Sequence, residues 1–366
     1  MKIAMVAPEK LPLPGNGSVE ICILAIAREL AERHEVTIIS RTVPGFPQKE
    51  QRQGITIRRV PAPSPDSYTR AVLRVLKNEA FDLIQVDNRP RSMATIKRSL
   101  PDIPVVLYLH SLTFAQPGAS RLAMLRQADL IAVNSRSLKE RLGRRFPSLK
   151  QHMRIVPLGT DLNRFAPASR AEKEQLRKQL GVTQPFCVLY AGRLIPRKGV
   201  NVLIRAVAIL QQKHPVQLLI AGKGPPSYVR KLRRLADRKQ VQATFCGQIA
   251  HERMERLYRA ADCIVCPSQK HEAFGLVNVE AMASGLPVIA SDNGGIREII
   301  QTGNEGYLVY AYDKPESFAL RLNQLASNPE LAQSMGQKGR ICAVSRYSWS
   351  RTAMHLEAAY TRLIRG

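Results

Sequence analysis

Short apolar runs alternate with longer amphipathic stretches along this chain, and the series starts twice. The first has β-like runs at 2–7, 36–40, 55–60, 83–86, 105–109 and 130–133. Helical spacing lies among them, as over 19–33, where Ile23, Ala27 and Leu30 share one side. The second series follows Asp161-Leu162-Asn163-Arg164-Phe165-Ala166-Pro167, with runs at 187–191, 217–221, 243–246, 263–266 and 287–290. This alternation predicts parallel sheets with helices on both faces. The expected fold class is α/β, with two doubly wound Rossmann-like domains in series and a boundary near 160–170. Open sheets of this kind bind ligands beyond the carboxyl ends of their strands. Two of them facing each other would bind a ligand in a central cleft.

The length of 366 residues suits two domains. No stretch approaches the roughly 20 apolar residues of a membrane helix. The first residues, Met1-Lys2-Ile3-Ala4-Met5-Val6-Ala7-Pro8, read as a buried strand rather than a signal peptide. Six scattered cysteines point to a reducing, cytoplasmic setting. Cys263 and Cys266 have C-x-x-C spacing, which a redox or zinc site also uses, but no second pair or histidine cluster follows. The net charge of +26 favours anionic partners: nucleotides, membrane surfaces, teichoic-type polymers or nucleic acid. Its densest parts, around 139–154 and 230–239, also read as solvated helix faces. A nucleic-acid binder is disfavoured, because aromatics are only 5% and no helix-turn-helix, zinc-finger or RRM signature is present.

The loops after the strands are where chemistry is expected. His271-Glu272-Ala273-Phe274-Gly275-Leu276 follows the 263–266 run and precedes a helix expected to start near Phe274–Gly275 and to stop at Gly285 and Pro287. Backbone amides of Ala273, Phe274, Gly275 and Leu276 would form an anion site at that helix start. Glu280 could accept from the two adjacent hydroxyls of a ribose, and Glu272 could reach a sugar. Two ordinary surface acids would look the same by composition. Gly192-Arg193-Leu194-Ile195-Pro196-Arg197-Lys198-Gly199 follows the 187–191 run. Arg193 and Lys198 suit a diphosphate leaving group, or are solvated cations. Gly222 lies in a tight turn, Ala221-Gly222-Lys223-Gly224-Pro225, and Ser291-Asp292-Asn293-Gly294-Gly295 forms a fourth corner. In the first half, Gly15-Asn16-Gly17-Ser18 could be a phosphate or acceptor loop, and His110 ends the 105–109 run. There is no HExxH, Walker A, zinc pattern or D-x-D-like pair, so no metal is expected.

Glu272 and Glu280 have the E-x7-E spacing of retaining glycosyltransferases of the glycosyltransferase-B type, and the surrounding segment resembles family 4. Gly192-Arg193…Lys198-Gly199, Asn293-Gly294-Gly295…Glu298, Asn134-Ser135, and Leu158-Gly159-Thr160-Asp161 are similar to that family's segments. The opening Met1-Lys2-Ile3-Ala4…Glu9-Lys10-Leu11-Pro12, with Arg33-His34-Glu35-Val36-Thr37, resembles the branch containing spore-coat-associated glycosyltransferases. Gly15-Asn16-Gly17 departs from the Gly-Gly pair that many of those relatives carry.

The resemblance implies three parts: an acceptor-side domain at 1–163, a sugar-nucleotide domain at 164–345, and a helix at 346–366, begun by Tyr347-Ser348-Trp349, that returns to the first domain. It implies that Arg193 and Lys198 bind the diphosphate, near Gly192 and Gly222, and that Glu280 binds the ribose. Glu272, with the amides of Ala273, Phe274 and Gly275, would hold the donor sugar and its phosphate. Leu276 would belong to the same donor site. His110 would line the reaction centre, and Gly17 would approach the phosphate or acceptor. The expected activity is retaining, metal-independent transfer from a nucleotide-diphosphate sugar, UDP-sugar first and GDP-sugar second. The acceptor would be a glycan, polymer or lipid, with peripheral contact to an anionic membrane or deposition on a spore coat. A non-catalytic coat protein and a sugar-nucleotide epimerase are the alternatives.

Overall fold

In the computed structural model of the chain, residues 1–11 and 17–365 are described. They form two compact units, Met1–Gly159 with Trp349–Gly366, and Thr160–Ser348. No helix among the described residues is long and apolar enough to cross a membrane.

The first unit is an eight-stranded sheet. Its strands are β1 Lys2–Lys10, β2 Glu35–Arg41, β3 Lys49–Arg52, β4 Ile55–Val60, β5 Leu83–Asp87, β6 Val105–Leu109, β7 Leu130–Val133 and β8 Met153–Ile155. The order is β3-β4-β2-β1-β5-β6-β7-β8, parallel except for β3 against β4. The central strands β5 and β6 are buried at every residue, as strands covered on both faces must be. Strand order reverses between β1 and β5, so the crevice at their carboxyl ends is the ligand position such a sheet offers. The helix Trp349–Arg365 belongs to this unit. It lays Leu356 and Tyr360, both fully buried, against the first unit's core. Glu357 on its rim pairs with Arg33 at 2.6 Å and His34 at 3.0 Å.

The second unit has six parallel strands: β9 Phe186–Ala191, β10 Val216–Ala221, β11 Ala243–Gly247, β12 Cys263–Cys266, β13 Val288–Ser291 and β14 Gly306–Val309. Their order is β11-β10-β9-β12-β13-β14. The reversal falls between β9 and β12, so the loops after these two strands flank the switch point.

Three strands escape the apolar pattern. β3 is Lys-Glu-Gln-Arg, a polar edge strand held by a tight turn in which Gln53 and Gly54 both have positive φ. β8 has three residues and β14 four. Cys263 and Cys266 lie in a strand buried throughout, and burial pushes both thiols above their ordinary value. None of the six cysteines forms a disulfide, and no cluster of three metal-ligating side chains exists among the described residues.

Candidate active site

In the second unit, the loops beyond β9, β10, β12 and β13 are stitched together by main-chain hydrogen bonds. Leu194 N donates to Lys223 O at 2.8 Å, Gln269 N to Arg197 O at 2.8 Å, and Gly295 N to Glu272 O at 2.8 Å. Asn293 Nδ2 donates to Ser268 O at 3.2 Å. Two glycines are required by this closeness. A Cβ on Gly222 would lie 1.8 Å from Gly192 O, and one on Gly294 would lie 2.1 Å from Glu272 O. Both positions also have positive φ, which glycine adopts without steric cost. Gly192 and Gly222 thus bring two loop backbones into direct contact.

This stitching brings together Lys198 and Glu272, 74 residues apart in sequence. Lys198 Nζ donates to Glu272 Oε2, and Ser268 Oγ donates to the same oxygen at 3.1 Å. Burial pushes the Glu272 carboxyl up, but Lys198, Ser268 and Arg197 outweigh it and hold the group below the usual carboxylate range. Arg193 stands on the same loop, exposed, with its main-chain carbonyl accepting from the Tyr190 hydroxyl at 2.8 Å. Its guanidinium enters no ion pair among the described residues and is available to an anion.

The helix after β12 runs Leu276–Ala283. It starts later than the expected Phe274–Gly275, because Gly275 takes a left-handed conformation (φ 97°) as the N-cap. The first amide to bond inward is Asn278, to Gly275 O at 2.9 Å. The amides of Gly275, Leu276 and Val277 are therefore among the orphan donors of a helix N-terminus. Ala273 and Phe274 are buried, and Ala273 O lies against Gly295. The Asn278 side chain is fully buried, with the Cys266 thiol as its polar neighbour. Neither amide atom has a full hydrogen-bond partner, and a Cβ on Gly275 would meet its Nδ2 at 2.6 Å.

Glu280 is 4% exposed and engaged on both oxygens. Tyr258 Oη donates to Oε2 at 2.7 Å, and His251 Nε2 meets Oε1 at 2.7 Å. Burial first, and then the Glu280 charge, push the Tyr258 phenol well above its ordinary value, so it remains a donor. Arg164 Nη2 lies 3.0 Å from His251 Nδ1. A guanidinium can only donate, so His251 accepts at Nδ1 and carries its proton on Nε2, toward Glu280.

The first unit carries its own polar cluster. His110 Nε2 meets Asp87 Oδ1 at 2.8 Å, and its main-chain N donates to Asn88 Oδ1 at 2.9 Å. Asp87 Oδ2 accepts from Gln85 Nε2 at 2.9 Å, and Gln85 Oε1 accepts from Tyr360 on the C-terminal helix. Asn134 Nδ2 donates to His110 O at 3.3 Å. With Asp87 accepting from Nε2, the neutral ring keeps a lone pair on Nδ1. Gly17 is the N-cap of the helix Ser18–Ala31, and a Cβ there would meet Glu20 Oε2 at 2.1 Å. Gly15 and Asn16 lie outside the described residues.

Arg193, Lys198, Glu272, Ala273, Phe274, Gly275, Leu276 and Glu280 thus lie in the second unit with Gly192 and Gly222, and His110 and Gly17 lie in the first. Sequence reasoning missed Ser268, Asn278, Tyr258, His251, Asp87 and Gln85. Asp87 and Gln85 carried a signal, since polar residues inside an apolar strand run need a buried partner. The others sit in segments with no such contrast.

Residues 172–341 match the family described as Glycosyl transferases group 1, and residues 17–164 match Glycosyltransferase Family 4. Spore coat protein SA of Bacillus subtilis is 32% identical over 379 residues, covering 99% of this chain and 100% of that protein. The chain belongs to the glycosyltransferase-B transferases of family 4. Sucrose-phosphate synthase of Thermosynechococcus elongatus superposes on this transferase with a TM-score of 0.85 at 26% identity, both chains being covered in full. Anabaena HepE in complex with UDP-glucose has the same fold, with a TM-score of 0.83 at 22% identity over 99% of this chain and 100% of that one. The protein is a glycosyltransferase that acts on nucleotide sugars.

Proposed function

We propose that this transferase moves a sugar, with retention of configuration, from a UDP-sugar to an anionic glycan, polymer or lipid acceptor, with a GDP-sugar as the second donor candidate. The observation that carries the reading is the Lys198–Glu272 pair beside the orphan amides of the Leu276–Ala283 helix, at the switch point of the second sheet. HepE, which shares the fold, is a protein seen with UDP-glucose, and this supports the choice of base.

On this reading Lys198, Arg193 and the helix amides take the diphosphate. Their charge stabilises the leaving group as the anomeric C–O bond breaks. The acceptor oxygen forms its bond on the same face, and its proton passes to the departing diphosphate oxygen. No protein nucleophile is invoked, and no metal is assigned a part. Glu272, already ionised, accepts from donor sugar hydroxyls. Glu280 binds the ribose, with its hydroxyls sharing or displacing the His251 contact. His110, with its Nδ1 lone pair, serves the acceptor or the reacting sugar.

Cytoplasmic residence fits the scattered cysteines, peripheral attachment fits the charge, and the name of the Bacillus subtilis relative supports deposition on a spore coat. The same name favours a second reading, a coat protein without turnover. The test is UDP release from a panel of UDP-sugars with extracts of anionic glycan, followed by NMR of the product anomer. An axial donor giving an axial product supports retention, and an equatorial product contradicts it. No release with any UDP- or GDP-sugar from a folded protein favours the coat reading.

A further inference from the structure

The helix Pro226–Arg238 carries five cations, Arg230, Lys231, Arg233, Arg234 and Arg238, against a single acid, Asp237. Its apolar side is ordinary, since Leu232, Leu235 and Ala236 are buried. Its charged side is not. Arg230 and Arg234, and Arg234 and Arg238, are four residues apart, and like charges at that spacing repel. Arg233 spreads part of its charge over the Phe245 ring at 4.5 Å. Lys231, Arg234 and Arg238 are exposed and have no acidic partner among the described residues. They stand at positions i, i+3 and i+7 of one helix face, about 4.5 and 6 Å apart along the axis.

These three line a groove of about 720 Å³ between this helix and Val200–Leu210, which adds Arg205 from the opposite wall. Val202 and Tyr228 also line it, with the buried Leu232 and Leu235 beneath. So do Pro196 and Gln269, which belong to the two loops that carry Lys198 and Glu272. Four cations around one groove, beside the donor loops, suit a ligand with repeated negative charges joined by uncharged links. A flat anionic surface would not enter the groove.

We propose that this groove binds a stretch of phosphate-bearing polymer, the part of the acceptor chain that lies away from the reacting end. The proposal rests on the transferase reading above and names the acceptor class within it. Four cations facing one acid fix the polarity of the ligand, and the repulsion built into the helix is relieved when phosphates occupy the groove.

The test uses the full chain and end-labelled linear inorganic polyphosphate, followed by fluorescence anisotropy over a range of salt. The variant Lys231→Gln/Arg234→Gln/Arg238→Gln is compared with Arg141→Gln/Arg144→Gln/Lys150→Gln, which removes the same charge from the first unit. In the groove variant, affinity should fall at least about tenfold and the log–log salt slope should drop by about 2, three contacts at roughly 0.7 each. The control variant should stay near wild type, and UDP should stabilise all three proteins equally. Equal weakening by both variants would reduce the groove to general surface charge and overturn the proposal. So would absence of polyphosphate binding, or groove-dependent binding of phosphatidylglycerol vesicles without polyphosphate binding. Failure of the donor reading is separate and shows as no UDP stabilisation in wild type.

Discussion

His251 Nε2 lies 2.7 Å from Glu280 Oε1, and the Arg164 guanidinium behind the ring fixes which nitrogen carries the proton. Glu280 is thus held in place by protein donors, with Tyr258 on its other oxygen. Replacing Glu280 by Ala leaves the buried Tyr258 hydroxyl and the half-buried His251 Nε2–H without an acceptor and should cost about 1–3 kcal/mol. Urea unfolding checks the stability, and the same variant should lose the stabilisation by UDP. Tyr258→Phe should unfold earlier but keep most of the UDP effect.

Arg193 and Lys198 should separate cleanly. Arg193 is exposed, so Arg193→Ala should change stability by no more than about 0.5 kcal/mol. Lys198→Ala strands the half-buried Glu272 carboxylate and should cost about 1–3 kcal/mol. Both should weaken binding of UDP far more than binding of uridine, which calorimetric titration would show. Equal losses for the nucleoside would remove the diphosphate role.

Strand 263–266 was legible because Cys-Ile-Val-Cys is apolar at every position, as a central parallel strand requires. The Lys-Glu-Gln-Arg strand was not, because an edge strand paired through its backbone needs no apolar face. The loop corners were legible from glycines and charges just after apolar runs. Their mutual contacts were not: nothing local in Lys198 or Glu272 records a partner 74 residues away. The helix start shifted by a residue or two because a left-handed Gly275 and a helical Gly275 have the same spelling.

The depressed Glu272 carboxyl gives a pH dependence of known sign. A group ionising more readily in the folded state stabilises above its ordinary value of 4.5 and loses that contribution as pH falls through its folded value. Lys198→Met removes the largest of the influences that oppose burial. The stability gap between wild type and this variant should therefore be widest near neutral pH and narrow below about 4.5. Unfolding free energies at pH 7, 5 and 3.5 test this.

Gly222→Ala and Gly294→Ala should each abolish turnover and destabilise by more than about 2 kcal/mol, since a Cβ would land on a neighbouring carbonyl. Gly181→Ala has positive φ but open space, so it should cost about 1 kcal/mol and leave turnover intact.

Asp87→Asn keeps the shape of the first unit's cluster but turns an acceptor toward His110 into a group that can also donate. The ring is then free to place its proton on Nδ1. Turnover should fall while the donor KM stays within about threefold, and Asp87→Glu should restore part of the rate. An unchanged rate would exclude His110 Nδ1 from the reaction.

The most direct test of the central claim is a thermal-shift titration with UDP, GDP, ADP and TDP and their sugar conjugates, in the presence of a chelator. A ligand that binds only the folded state raises the melting temperature by mass action. UDP and UDP-sugars should give a shift that persists under chelation and is lost in both Arg193→Ala and Glu280→Ala. No shift with any nucleotide, or an equal shift in those two variants, would contradict a UDP-sugar donor held by these residues.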